Sequence, residues 1–148
     1  MNTNGQFQLS EKVAVVTGGG TGLGREMALA LAKAGAHIAL ASRRAGPIGK
    51  TADDALKFGR KAISIPTDVT DPEQVEFLFQ KVLKELGRVD VLINNAGMIT
   101  AHGDGDIWDI PIDEFRKGID YNLTSAFICS REISKHMVDS GGGKIINV

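Results

Sequence analysis

Thr17-Gly18-Gly19-Gly20-Thr21-Gly22-Leu23-Gly24 is the stretch on which the reading of this chain turns. Before it runs Lys12–Thr17 (KVAVVT), a short β-branched apolar segment of the kind that forms a strand buried on both faces. After it comes Arg25–Ala34, where Met27, Leu31 and Ala34 recur at helical spacing and Gly35 supplies a stop. A glycine-rich turn between strand and helix lets an anion approach the backbone unobstructed. The free N–H groups and positive dipole end of the following helix then favour it. The arrangement suits the diphosphate of a dinucleotide. The plainer alternative is a tight turn that holds no ligand.

Strand and helix signals continue to alternate along the chain. His37–Ala41 (HIALA), Ala62–Pro66 (AISIP), Val89–Asn94 (VDVLIN) and Lys144–Val148 (KIINV) read as strands. Pro47–Phe58, closed by Gly59, reads as a helix. A further helix opens with Asp71 as cap, Pro72 at its first position and Gln74 where a capping box wants Glu or Gln. Val75, Leu78, Phe79, Val82 and Leu86 share its face, and Gly87 ends it. A glycine–aspartate loop from Gly103 to Asp106 precedes a long helical region from about Asp113 to Asp139, broken by Gly141–Gly143. Interleaved strands and helices imply right-handed βαβ crossovers and a parallel sheet covered on both faces, an α/β fold. No repeat, linker or composition shift divides the 148 residues, so they read as one domain.

The bulk properties exclude several classes of function. A net charge of -1 gives no general electrostatic reason to bind nucleic acid or an anionic membrane. The first ten residues lack the apolar core of a signal peptide, and no run is long enough to span a bilayer, so a soluble, cytoplasmic protein is expected. Cys129, the single cysteine, reads as a buried or half-buried helix thiol, and His37, His102 and His136 form no metal-ligand spacing.

Two other glycine motifs do not fit the loop. The G-x-G-x-x-G spacing would need glycine at Leu23. The phosphate loop of nucleotide triphosphatases would need Lys and a hydroxyl residue where Arg25 and Glu26 stand. The tip of the second strand narrows the choice of dinucleotide. An Asp or Glu there, roughly 20 residues past the glycines, would grip the adenosine ribose hydroxyls. This chain has Ser42-Arg43-Arg44 and no acid from His37 to Thr51. A carboxylate repels a 2′-phosphate, whereas a guanidinium pairs with it through two hydrogen bonds. NADP(H) is therefore expected over NAD(H), with Arg43 in direct contact and Ser42 assisting. Alternatively, Arg43 and Arg44 merely solvate a strand end.

The spacing T-G-x-x-x-G-x-G resembles the cofactor motif of the short-chain dehydrogenase/reductase family, and further landmarks follow in family order. Asp68-Val69 resembles its adenine-contacting pair, the carboxylate accepting from the adenine amino group and Val69 covering the ring. Asn94-Asn95-Ala96-Gly97 resembles its N-N-A-G motif, in which small residues leave room for ribose and the first Asn ties neighbouring strands together. Asn122 matches the asparagine of the catalytic tetrad, which in the family helps hold a water linking the catalytic lysine to solvent. Gly143–Val148 matches the fifth strand. The resemblance implies a Rossmann-like doubly wound sheet in three α/β/α layers, strand order 3-2-1-4-5, cut off after strand 5. It implies cofactor contacts at Gly18, Thr21, Gly22, Leu23, Gly24, Ser42, Arg43, Asp68, Val69, Asn95, Ala96 and Gly97, with Asn122 catalytic.

What the resemblance leaves unplaced is the rest of the proton relay: a Ser after the fifth strand and a Tyr-x-x-x-Lys on the next helix. The only tyrosine is Tyr121, four residues before Ser125 rather than Lys, and it reads as a packing residue. Residues 1–148 are thus expected to form a single NADP(H)-binding domain, incomplete at its C-terminal end, with an open fifth-strand edge and next to no activity alone. A longer chain is the favoured explanation; a truncated gene or a completing second polypeptide are the others. The function implied is an NAD(P)(H)-dependent oxidoreductase acting on a small carbonyl or alcohol, of 3-oxoacyl reductase or alcohol or sugar dehydrogenase type. When complete it would form a homodimer or homotetramer. The opposing readings are a non-catalytic NADP(H) sensor or interaction module, and a scaffold built on the long helix.

Overall fold

The computed structural model describes residues 8–98 and 106–148; the Gly103–Gly105 part of the expected loop, His102 and Met1–Phe7 lie outside the described residues. The elements in chain order are β1 Val13–Thr17, α1 Gly22–Lys33, β2 His37–Ser42, α2 Ala45–Leu56, β3 Ala62–Pro66, α3 Pro72–Leu86 and β4 Val91–Asn94. After a 3-10 turn at Ile107–Asp109 come α4 Ile112–Ile119, a π-turn Asp120–Thr124, α5 Ser125–Asp139 and β5 Lys144–Asn147. The five strands form one parallel sheet in the order β3-β2-β1-β4-β5, the doubly wound topology expected from the sequence.

β1 shows why its sequence is a continuous apolar run. Val13 and Val15 pack on the face covered by α3 and α5, with Leu78, Phe79, Cys129 and Ile133. Ala14 and Val16 pack on the face covered by α1 and α2, with Ala28, Ala32, Ile48 and Ala55. Successive side chains point to opposite sides of the sheet, and both sides are core. The outer strand β5 has one neighbour, and Ile145 and Ile146 on it remain 40% and 47% exposed.

Local capping chemistry fixes α3. Asp71 Oδ1 accepts from the N–H groups of Glu73 and Gln74, and Pro72 occupies the first helical position. The capping box differs from expectation in one respect. The Gln74 side chain accepts from Asp68 N at 2.9 Å rather than from the cap residue's own N–H, which goes to Asp68 O. The cap therefore also braces the segment that leaves β3. Two helices begin earlier than their sequence signals: α1 includes Gly22–Gly24, and α2 starts at Ala45. β4 starts later, at Val91, although the Asp90 backbone already bonds to Val13 O and Lys144 N.

Asp90 staples the N-terminal ends of β1 and β4. Its carboxylate takes a two-pronged bond from Arg88 (2.8 and 2.6 Å), one from Val13 N (2.9 Å) and one from Lys12 Nζ (3.1 Å). Burial is the largest single influence and opposes ionisation, but the bonds from Arg88, Val13 and Lys12 outweigh it and hold the carboxyl below its ordinary 3.8. A depressed folded value means that the stabilisation is complete above 3.8 and is lost as pH falls through the folded value. Asp90→Asn should lower unfolding free energy by about 2 kcal/mol at neutral pH, the scale of a hydrogen bond to a charged group. Urea denaturation of the protein expressed from its complete reading frame checks this: the deficit must shrink as pH drops below 3.8, and a pH-independent deficit refutes the ionic account.

Candidate functional site

The sheet's connections reverse direction between β1 and β4, and outside the C-terminal ends of these strands lies a crevice of about 370 Å³. Gly18, Thr21, Leu23 and Gly24 form its floor, and Gly22 lies between them at the start of α1. Ser42 and Arg43 line it from the tip of β2, Asp68 and Val69 from the exit of β3, and Asn95, Ala96 and Gly97 from the exit of β4. Residues spread over 80 positions of sequence thus converge on one concavity. Gly20, Arg44, Pro47, Thr67 and Tyr121 join them.

Thr17, which the motif contains without assigning it a role, holds the floor in place. Its Oγ1 donates to Ile93 O (3.3 Å) and accepts from the N–H groups of Asn95 and Ala96 (3.0 Å each). Asn95 reciprocates: its Nδ2 donates to Thr17 O (3.0 Å) and Gly18 O (3.4 Å). The glycine turn is thereby stitched to the exit of β4. A Cβ on Gly24 would strike both Asn95 Nδ2 and Gly18 O, so only glycine lets α1 begin this close to the strand. The first turn of α1 carries N–H groups without intrahelical acceptors, a fit for a diphosphate over bare backbone.

At the end of the crevice formed by the exits of β2 and β3, Asp68 Oδ1 accepts from Thr70 N (3.0 Å) and Thr70 Oγ1 (2.7 Å), which fixes the carboxylate beside Val69. Ser42 Oγ donates to Arg44 O at 3.2 Å. Arg43 Nη1 donates to Tyr121 Oη at 2.6 Å, and its guanidinium carbon lies 4.9 Å from the centre of the Tyr121 ring. The expectation that Tyr121 is a packing residue is therefore corrected: the ring forms part of the crevice wall. Its partner lies 78 residues away, so no local signal could have revealed the contact.

Asn122 adjoins the crevice from the π-turn. Its Oδ1 accepts from Met98 N (3.1 Å), and its Nδ2 donates to Met98 O (3.0 Å) and Gly118 O (2.9 Å). It clamps the segment following Gly97, where a Cβ would come within 2.6 Å of Asn122 Oδ1. Asn94 ties β4 to β5 and α5, donating to Asn147 Oδ1 (2.9 Å), Ser130 Oγ (3.1 Å) and Ala126 O (3.4 Å). Cys129 stands apart, buried against the core, where burial pushes its thiol up to about 12. Among the described residues no helix is long and apolar enough to cross a membrane, and no three of His, Cys, Asp or Glu converge as a metal site.

A family profile described as short chain dehydrogenase matches residues 12–148. The 7alpha-hydroxysteroid dehydrogenase of Escherichia coli strain K12 is 30% identical over 148 residues, which is 100% of this chain and 56% of that protein. The crystal structure of a short-chain type dehydrogenase/reductase from Mycobacterium marinum superposes with a TM-score of 0.89 at 39% identity, covering 95% of this chain and 56% of the other. An NAD+-bound xylitol dehydrogenase does so with a TM-score of 0.89 at 33% identity, covering 94% and 53%. The chain thus spans about half the length of the relatives it matches.

Replacing Thr17 by Val keeps the shape of the side chain and removes its oxygen, leaving two N–H groups without their acceptor. Thr17→Val should cost about 2 kcal/mol of unfolding free energy, and Thr17→Ser should recover most of it. Equal losses in both variants, measured by denaturant titration, would show that the methyl group rather than the hydroxyl matters.

Proposed function

The chain belongs to the short chain dehydrogenase family, and on that footing we propose that it is the NADP(H)-binding portion of an oxidoreductase. The enzyme moves hydride between NADP(H) and a carbonyl or alcohol carbon of a small molecule. One observation carries the proposal: Arg43, on a strand tip with no carboxylate from His37 to Thr51, opens onto the same crevice as the glycine turn. The names of two relatives, a hydroxysteroid and a xylitol dehydrogenase, support alcohol–carbonyl chemistry. The xylitol enzyme was captured with NAD+, so the choice of NADP(H) rests on this chain's own strand tip.

In this reading Gly18, Thr21, Gly22, Leu23 and Gly24 receive the diphosphate at the dipole end of α1. Ser42 and Arg43 bind the 2′-phosphate. Asp68 accepts from the adenine amino group while Val69 covers the ring. Asn95, Ala96 and Gly97 leave space for ribose, and Asn122 serves the reacting end by holding the backbone at Met98. The bound nicotinamide supplies or accepts the hydride. The Ser, Tyr and Lys of the family's proton relay have no counterpart in residues 1–148. Phe115, Leu123 and Phe127, 58%, 63% and 63% exposed along α4, the π-turn and α5, support self-association through these helices.

Titration of the protein expressed from its complete reading frame with NADPH and NADH, followed by cofactor fluorescence, tests the proposal. NADPH should bind roughly ten- to a hundredfold more tightly, the scale of one charge-assisted hydrogen bond. Arg43→Asp should reverse the order. An Arg43→Asp variant that still prefers NADPH removes the basis of the assignment. Tight NADPH binding with no carbonyl reduction across ketone, aldehyde and acyl-thioester substrates would favour the sensor reading instead.

A further inference from the structure

Arg43 and Arg44 share one strand tip, and both side chains are exposed there. Only Arg43 is anchored. It crosses to Tyr121 with the 2.6 Å hydrogen bond and the 4.9 Å ring contact. Arg44, among the described residues, has no side-chain partner.

The position of Tyr121 argues against a packing role. It borders the cofactor crevice and also a second cavity of about 280 Å³ lined by Thr70, Lys117, Asp120 and Thr124. Its backbone is pinned by the π-turn, where Ser125 Oγ donates to Tyr121 O at 2.6 Å.

We infer that Tyr121 is a positioning residue for cofactor choice: it holds the Arg43 guanidinium at the adenosine end of the crevice and so favours NADP(H) over NAD(H). The inference rests on the reading of Arg43 as the partner of the 2′-phosphate. An arginine on a strand tip gives up rotamer freedom when it grips an anion, and an arginine already held gives up less. The phenol oxygen takes only Nη1, so Nε and Nη2 keep their N–H groups for a phosphate. The electron-rich ring face adds attraction without using a donor. A cofactor lacking the 2′-phosphate does not call on Arg43, so it gains nothing from the anchor.

The test uses the protein expressed from its complete reading frame, with dissociation constants for NADPH and NADH and competition by adenosine 2′,5′-bisphosphate and by AMP. Tyr121→Phe should weaken NADPH about threefold and Tyr121→Leu about tenfold, the scale of a lost hydrogen bond and of that bond plus the ring contact. NADH and AMP should shift less than about twofold. In an Arg43→Ala background, Tyr121→Leu should add nothing to the loss of NADPH affinity. Retained NADH binding shows that each variant is folded.

Equal weakening of NADPH and NADH would overturn the inference, because Tyr121 would then be a wall for adenine. Tighter NADPH binding would overturn it too, because the contact would then compete with the phosphate. If Arg43→Ala leaves the NADPH-to-NADH ratio unchanged, the reading of Arg43 itself fails. If that variant collapses the ratio while the Tyr121 variants leave it intact, only the role of Tyr121 fails.

Discussion

The hydroxyl of Thr17 is the constraint on which the rest of this structure depends. Where a parallel sheet changes the direction of its connections, two neighbouring strand ends part and their outgoing backbones lose each other as hydrogen-bond partners. Here the gap is closed by one side chain from β1, bonded to Ile93 O and to the N–H groups of Asn95 and Ala96. The Asn95 amide closes it from the other side. With both strand exits fixed, the glycine turn has one position, and so does the first turn of α1.

Two other walls of the crevice are braced by a similar return of side chain to backbone. Gln74 supports the Asp68 segment from the cap of α3, and Asn122 supports Met98 from the π-turn. Asn94 joins β4 to β5 and α5. Gln74 and Asn122 satisfy backbone groups where regular ladders end, and Asn94 ties side chains of neighbouring elements together, a source of the loop order that a ligand site needs. The wall at the tip of β2 is braced differently, by contact between two long side chains, Arg43 and Tyr121.

What the sequence reveals here follows the range of the interaction involved. β3 and α3 are legible to the residue because their signals are local: an apolar run closed by proline, and Asp71-Pro72 followed by a one-sided apolar face. The glycine turn and the Arg-tipped second strand are legible because backbone access and charge are written directly in residue type. The start of α1 is not, since glycines are poor helix formers and the helix is entered through Gly22 at φ +52°, a left-handed conformation that the residue pattern does not place. Tyr121 is illegible for a stronger reason. Nothing near it in the chain marks it, and its meaning lies in a guanidinium brought alongside by the sheet. Resemblance points to Asn122, yet its two bonds to Met98 follow only from the folded path of residues 97–98.

The π-turn at Asp120–Thr124 has a mechanical corollary. It carries about one residue more than an α-helical turn would, so the helix before it and the helix after it are out of phase by roughly 100°. α5 seats Cys129, Ile133 and Met137 in the core on one phase, while Asn122 reaches Met98 on another. Shortening the turn by one residue would leave an unbroken helix but force a choice between these two seatings. The inserted residue works as a phase shifter, letting one continuous rod serve the hydrophobic interior at one end and the crevice at the other.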